Sequence, residues 1–164
     1  MPKSRTAALQ AMPIFGGVRA DVLDVLVSSA KSIALEKDAF FFHEGDRAES
    51  MFVLESGEVV LLKDWAGAQH VLGRLSRGDC FGEMALLDLF PRSASVQAVT
   101  PCVALELFTA SLHNLYETDL AQFALVQTNI ARELSRRLRA ADERAFRERI
   151  GHPHAGADWS LLLT

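Results

Sequence analysis

Cysteine is scarce in this chain: Cys80 and Cys102 are the only two in 164 residues. Both stand in apolar, strand-like surroundings, where buried reduced thiols are expected. They form no C-x-x-C pair, so a zinc or iron–sulfur site lacks its ligands. Long hydrophobic runs are also missing. No stretch approaches the length of a membrane span, and the start, Met1-Pro-Lys-Ser-Arg-Thr6, leads into no apolar signal core. A cytoplasmic protein without a membrane association is therefore expected. Positive charge is not in excess. Seventeen Lys and Arg stand against 21 Asp and Glu, a formal net charge of −4, so bulk electrostatics give no pull toward nucleic acid or an anionic surface. A Walker loop, a Ser/Cys–His pairing in context and paired acids near a metal set are all lacking, and with them the usual starting points of catalysis. Internal repeats are not seen.

What remains is an ordinary globular composition, 49% hydrophobic and 23% charged. The length suits a single domain over residues 1–150 with a core and room for a ligand, followed by a flexible tail over 151–164. Helical spacing runs from Arg5 to Met12 and from Ala20 to Lys31, with Gly16-Gly17 between them and Asp21 in the first turn of the second helix, where its charge favours the helix dipole. From Ile33 to Leu107 the pattern changes to short strands. Turn signals recur about every ten residues, at Glu44-Gly-Asp46, Ser56-Gly57, Ala66-Gly67 and Arg77-Gly-Asp79, the spacing of an antiparallel roll or sandwich. After Phe108 the helical period returns. A short helix is predicted over Ser111–Tyr116 with Thr109 as its N-cap, and one long helix over Asp119–Arg147. The apolar seam of that helix is read as Leu120, Phe123, Ile130, Leu134, Leu138 and Ala141, with Gln127 filling a gap. Gly151-His-Pro-His-Ala-Gly156 then breaks it. The fold class expected is α+β: an antiparallel, jelly-roll-like β-roll with N-terminal helices and C-terminal hinge and lid helices.

The densest segment is Phe81-Gly-Glu-Met-Ala-Leu-Leu-Asp-Leu-Phe-Pro-Arg-Ser-Ala-Ser-Val96. Gly82 and Glu83 open a helical turn over Met84–Leu87. Pro91 breaks it, and Arg92-Ser93 stand at the mouth of a strand over Ala94–Val99. A helix start with unpaired N–H groups, an arginine fork and a serine hydroxyl compose an anion site. Glu83 cannot serve that anion; its carboxylate needs a donor, which a sugar hydroxyl supplies. Phosphate plus ribose implies a nucleotide.

At these residues the chain resembles the cyclic nucleotide-binding domains of the catabolite activator protein, of cAMP-dependent kinase regulatory subunits and of bacterial cyclic-nucleotide-gated channels. Their phosphate-binding cassette reads roughly F-G-E-[LM]-A-L, a short spacer, then P-R-[ASTP]-A-[ST]-[VA], and 81–96 meets it. Ala39-Phe-Phe-Phe-His-Glu-Gly-Asp46, Ser50 to Leu62 and Arg77-Gly-Asp-Cys-Phe81 resemble the family's preceding strand–turn signatures, so the likeness covers about Leu9 to Leu138. The resemblance implies that Arg92 pairs with the cyclic phosphate, that Glu83 binds the ribose 2′-hydroxyl, and that Ser93 adds a hydroxyl donor. It also implies that the backbone approaches the ligand at Gly82, Met84, Ala85 and Ala94. The base is expected against Val71 and Leu72 with Arg74 nearby, closed by a residue of the long helix, where Arg139, Asp142, Glu143 and Trp159 are candidates.

The function this implies is a stand-alone cyclic nucleotide receptor, without enzymatic activity. It takes cAMP or cGMP as ligand and no further cofactor. Its hinge near Phe108–Tyr116 and its long helix report occupancy to a protein partner, or through a homodimer of the 119–147 helix. A helix-turn-helix segment does not follow that helix within these residues, and the arginines from Arg132 to Arg149 interleave with Glu133, Asp142, Glu143 and Glu148, as on a solvated face. Nucleic acid is therefore not the expected partner. Other small β-rolls hold metals, but His43, His70, His113, His152 and His154 are not placed as a ligand set. Two alternatives keep the same fold: a dimerising module that has lost its ligand, and a receptor for another ligand such as a cyclic dinucleotide or a small organic acid.

Overall fold

The computed structural model describes residues 3–151. It opens with α1 (Lys3–Gln10), a 3-10 turn at Pro13–Phe15 and α2 (Ala20–Ser28). Eight strands follow: β1 (Lys31–Leu35), β2 (Phe40–Phe42), β3 (Ser50–Ser56), β4 (Glu58–Trp65), β5 (Ala68–Ser76), β6 (Cys80–Phe81), β7 (Ser95–Ala98) and β8 (Cys102–Phe108). A short helix, α3 (Met84–Asp88), sits between β6 and β7, and α4 (Thr109–Thr118) and α5 (Leu120–Gly151) complete the chain.

The strands form two four-stranded sheets, in the orders β1-β8-β3-β6 and β2-β7-β4-β5, with antiparallel pairing throughout. This is the expected α+β roll. Phe52, Leu54 and Phe81 of one sheet meet Val59, Val96 and Ala98 of the other in one core cluster. β8 is buried on both faces: Cys102 and Ala104 join the core cluster, and Leu105 and Leu107 are buried on the opposite side. Both cysteines are buried, and no disulfide joins them. The β3–β4 turn depends on Gly57, at φ +91, because a Cβ there would come within 2.5 Å of the Pro101 carbonyl oxygen and 2.6 Å of Cys102 Sγ.

Several boundaries differ from the sequence expectation, each for a local reason. The first helix ends at Gln10 rather than Met12, because Pro13 disfavours helical backbone before it and Met12 is extended. The second stops at Ser28. Ser28 and Ser29 turn their hydroxyls back onto the Val25 and Leu26 carbonyls, and Lys31 joins β1 opposite Glu106. Thr109 is not an N-cap. It begins α4, whose cap position is Phe108, and its hydroxyl donates instead to the Glu49 carbonyl at 2.9 Å. Asp119 caps α5 by accepting from the Gln122 N–H at 3.1 Å. α5 runs to Gly151, past the predicted break at that residue; the rest of the expected break and tail, including His152, His154 and Trp159, lies outside the described residues.

The chain divides into two compact units, residues 1–130 and residues 131–164. Within the first, the inward face of α5 carries Val126, Asn129 and Ile130, whereas Leu120 is 60% exposed. The expected seam is thus rotated. Asn129 fits the interior because its amide donates to the carbonyls of Ile14 and Gly16 at 3.1 and 2.9 Å. In the second unit the rest of α5 carries Arg136–Glu133 and Arg147–Glu143 pairs along its length and exposes Leu138, Phe146 and Ile150. Among the described residues no helix is long and apolar enough to cross a membrane.

Candidate functional site

β6 delivers the chain to Gly82, which takes φ +75. The positive φ alone favours glycine, and a Cβ would also collide with Arg92 Nη1. Glu83 occupies the N-cap position of α3 without capping it by its side chain and is only 2% exposed. The helix lasts five residues and ends on Leu89 in the left-handed region, φ +60. A single turn aligns few peptide dipoles, so its start contributes less to an anion site than a full helix would. Met84 is half exposed; Ala85 is placed in α3 by the backbone.

Arg92 is 6% exposed. Its backbone is held on both sides by the Glu44–Asp46 turn: Gly45 N–H donates to the Arg92 carbonyl and Arg92 N–H to the Asp46 carbonyl, each at 2.9 Å. The guanidinium donates through Nη1 to the Gly82 carbonyl at 2.9 Å and through Nη2 to Ser50 Oγ at 3.3 Å. Its Cζ lies 4.1 Å from the centre of the Phe42 ring and 5.7 Å from that of Phe52. Nε is buried without a hydrogen-bond partner among the described residues. Burial pulls the guanidinium below its ordinary pKa, while the charges of Glu106, Asp46 and Glu83 act the other way. A desolvated cation whose hydrogen bonds go to neutral oxygens favours an incoming anion.

Ser93 is exposed, and its hydroxyl makes one long contact, 3.8 Å, to Met84 Sδ. Its carbonyl accepts from Lys63 Nζ at 3.0 Å, and Lys63 also pairs with Glu44. Ala94 is buried at the entry to β7. The structure thus brings Gly82, Glu83, Met84, Ala85, Arg92, Ser93 and Ala94 into one turn–helix–turn segment. Val71 and Leu72 are not part of it. They lie on the edge strand β5, 62% and 50% exposed. A bulge there pairs Leu61 with Gly73 and Leu62 with Val71, leaving Leu72 without a register partner. A groove of about 540 Å³ opens elsewhere, between α2 and α4, over Val22, Leu26 and Leu115. It contains no cassette residue.

Sequence reasoning missed Ser50, Glu106, Phe42 and Lys63. Glu44-Gly-Asp46 was legible as a turn, but not as the brace of Arg92.

The cyclic nucleotide-binding domain family model matches residues 32–119, more than half of the chain. The chain belongs to the cyclic nucleotide-binding domain family. Among its relatives is the cyclic AMP receptor protein of Thermus thermophilus, 33% identical over 135 residues, 82% of this chain and 61% of that protein. A cAMP-dependent protein kinase regulatory subunit of Mucor circinelloides is 36% identical over 73 residues, 44% of this chain and 17% of that protein. A cyclic nucleotide-binding domain structure from Methylobacillus flagellatus superposes with a TM-score of 0.78 over 87% of this chain and 81% of that one, at 24% identity. The chain spans less than two thirds of the length of the two relatives matched by sequence. The cassette described above lies wholly inside the segment that defines the family.

Proposed function

We propose that the chain is a receptor domain for cAMP, in which Arg92 contacts the cyclic phosphate and Glu83 the ribose 2′-hydroxyl. The observation that carries this reading is the buried Arg92 guanidinium, aromatic on one side and, among the described residues, hydrogen-bonded to the neutral oxygens of Gly82 and Ser50, which a phosphate would complete. Glu83 is buried one residue beyond Gly82, and its carboxylate accepts from a hydroxyl but has no favourable contact with a phosphate. Backbone groups of Gly82, Met84, Ala85 and Ala94 line the same segment, Ser93 adds its hydroxyl, and Val71 and Leu72 supply apolar surface to the base. The Arg92-Ser93-Ala94 sequence and the names of the Thermus and Mucor relatives favour cAMP over cGMP.

The domain binds and reports; nothing in this reading requires catalysis, a metal or a second cofactor. A ligand-ordered cassette shifts the population of α4 and α5 positions, and that shift is passed to a protein partner or a second copy. With an intracellular messenger as ligand, the reading expects a cytoplasmic protein. Thermal unfolding with cAMP, cGMP and a cyclic dinucleotide tests the reading, since a ligand bound only by the folded state raises its stability by mass action. The largest rise is expected with cAMP. A larger rise with cGMP would reverse the choice of base, a rise with the dinucleotide alone would change the ligand class, and no rise with any of them would leave an interaction module.

A further inference from the structure

The Arg92 guanidinium is linked by hydrogen bonds to two residues far from it in the chain. Nη2 of Arg92 donates to Ser50 Oγ at 3.3 Å, and Ser50 Oγ donates to Glu106 Oε1 at 2.8 Å. Ser50 opens β3 and Glu106 lies on β8. The register pairs Ser50 with Phe108 and Phe52 with Glu106, so the hydroxyl and the carboxylate are diagonal neighbours across two antiparallel strands. A serine hydroxyl has one proton and two lone pairs. Giving the proton to Glu106 leaves the lone pairs facing the guanidinium, so the direction of the chain is fixed: arginine to hydroxyl, hydroxyl to carboxylate. Each link polarises the next in a site removed from water, and Ser50 is itself only 5% exposed. Of the carboxylates that act on Arg92, Glu106 acts most strongly, ahead of Asp46 and Glu83. The Gly82 carbonyl holds the other terminal nitrogen, and the Phe42 ring covers one face.

We propose that Ser50 and Glu106 are positioning residues of the phosphate site, holding the Arg92 guanidinium in one orientation through a hydroxyl relay. The proposal deepens the receptor reading above and rests on it. Glu106 is kept one hydroxyl away from the guanidinium. A direct ion pair would neutralise the arginine, whereas a relayed one orients it and leaves its charge to a ligand.

The test uses the full chain with three substitutions, Ser50→Ala, Ser50→Thr and Glu106→Leu. Nitrogen-15 spectra of the Arg92 guanidinium read its rotation about Cζ–Nη, and calorimetry reads cAMP affinity. Hindered rotation is expected in the parent, free rotation in Ser50→Ala and in Glu106→Leu, which offers the hydroxyl no acceptor, and recovery in Ser50→Thr, which keeps the hydroxyl. Affinity should fall about tenfold in the first two, the scale of one hydrogen bond to a charged group, and return to within about twofold in Ser50→Thr. Unchanged rotation in both relay-breaking variants overturns the proposal. So does freed rotation with unchanged affinity. If the parent takes up no cAMP, the receptor reading fails and the guanidinium signals alone decide the relay. If Ser50→Ala does not fold, Glu106→Leu, which is close in volume and has no acceptor, carries the test.

Discussion

Arg92 concentrates the chemistry of the molecule at one residue. It is buried, it is charged, and its backbone is clamped between Gly45 and Asp46 before any ligand contact is considered. Truncating Arg92 removes the charge an anion would meet. Arg92→Ala is therefore expected to weaken cAMP binding by about 2–5 kcal/mol, the range for losing one member of a buried charge pair. Calorimetry showing parental affinity would remove Arg92 from the phosphate site. Glu83 makes a separate prediction because the contact proposed for it is with the sugar. A 2′-deoxy analogue should bind the parent less tightly than cAMP, and Glu83→Ala should erase most of that difference. An analogue bound as well as cAMP by the parent would make Glu83 structural. The two residues were legible in the sequence because they stand in one contiguous segment with a fixed spacer. Ser50, Glu106 and Phe42 were not, because they reach Arg92 only through strand register and sheet packing, which no local pattern encodes.

At the scale of elements, the join between the roll and α4 is the part the sequence described least well. Thr109 reads as an N-cap by residue type, yet its N–H and its hydroxyl both go to the Glu49 carbonyl, each at 2.9 Å. The reason is tertiary. β3 and β8 pair so that Ser50 faces Phe108, and this brings the Glu49 carbonyl to the first turn of α4. The inward turn of α5 at Asn129 is similar, since a polar residue becomes a good interior residue only once the Ile14 and Gly16 carbonyls are beside it. The strands themselves were legible, because turn signals punctuate them about every ten residues. The Glu49–Thr109 bonds tie the start of α4 to the residue preceding Ser50, which touches Arg92. Thr109→Val should thus do two things. It should lower stability by about 0.5–1.5 kcal/mol, the net worth of one hydrogen bond, and it should reduce the protection that cAMP confers on α4 amides in hydrogen exchange. Full protection of α4 in the variant would show that the hydroxyl plays no part in coupling.

At the scale of the whole molecule the question is what receives the signal. The net charge of −4 leaves little general attraction for polyanions, so a protein surface is the output that the receptor reading favours. The part of α5 beyond Ile130 offers one. Leu138, Phe146 and Ile150 are each about 60% exposed, while the Glu143–Arg147 pair beside them keeps the helix solvated. Large apolar side chains left in water along one helix cost free energy that a partner helix recovers, on the order of 25 cal/mol for each Å² of apolar surface covered. A second copy of the chain presents the same residues and is the simplest such partner. Light scattering with and without cAMP should show self-association that changes with ligand, and Leu138→Glu should abolish it by placing a charge in the contact. A strict monomer in both ligand states would assign the exposed face to a different protein. Self-association unaltered by Leu138→Glu would move the contact to another part of the surface.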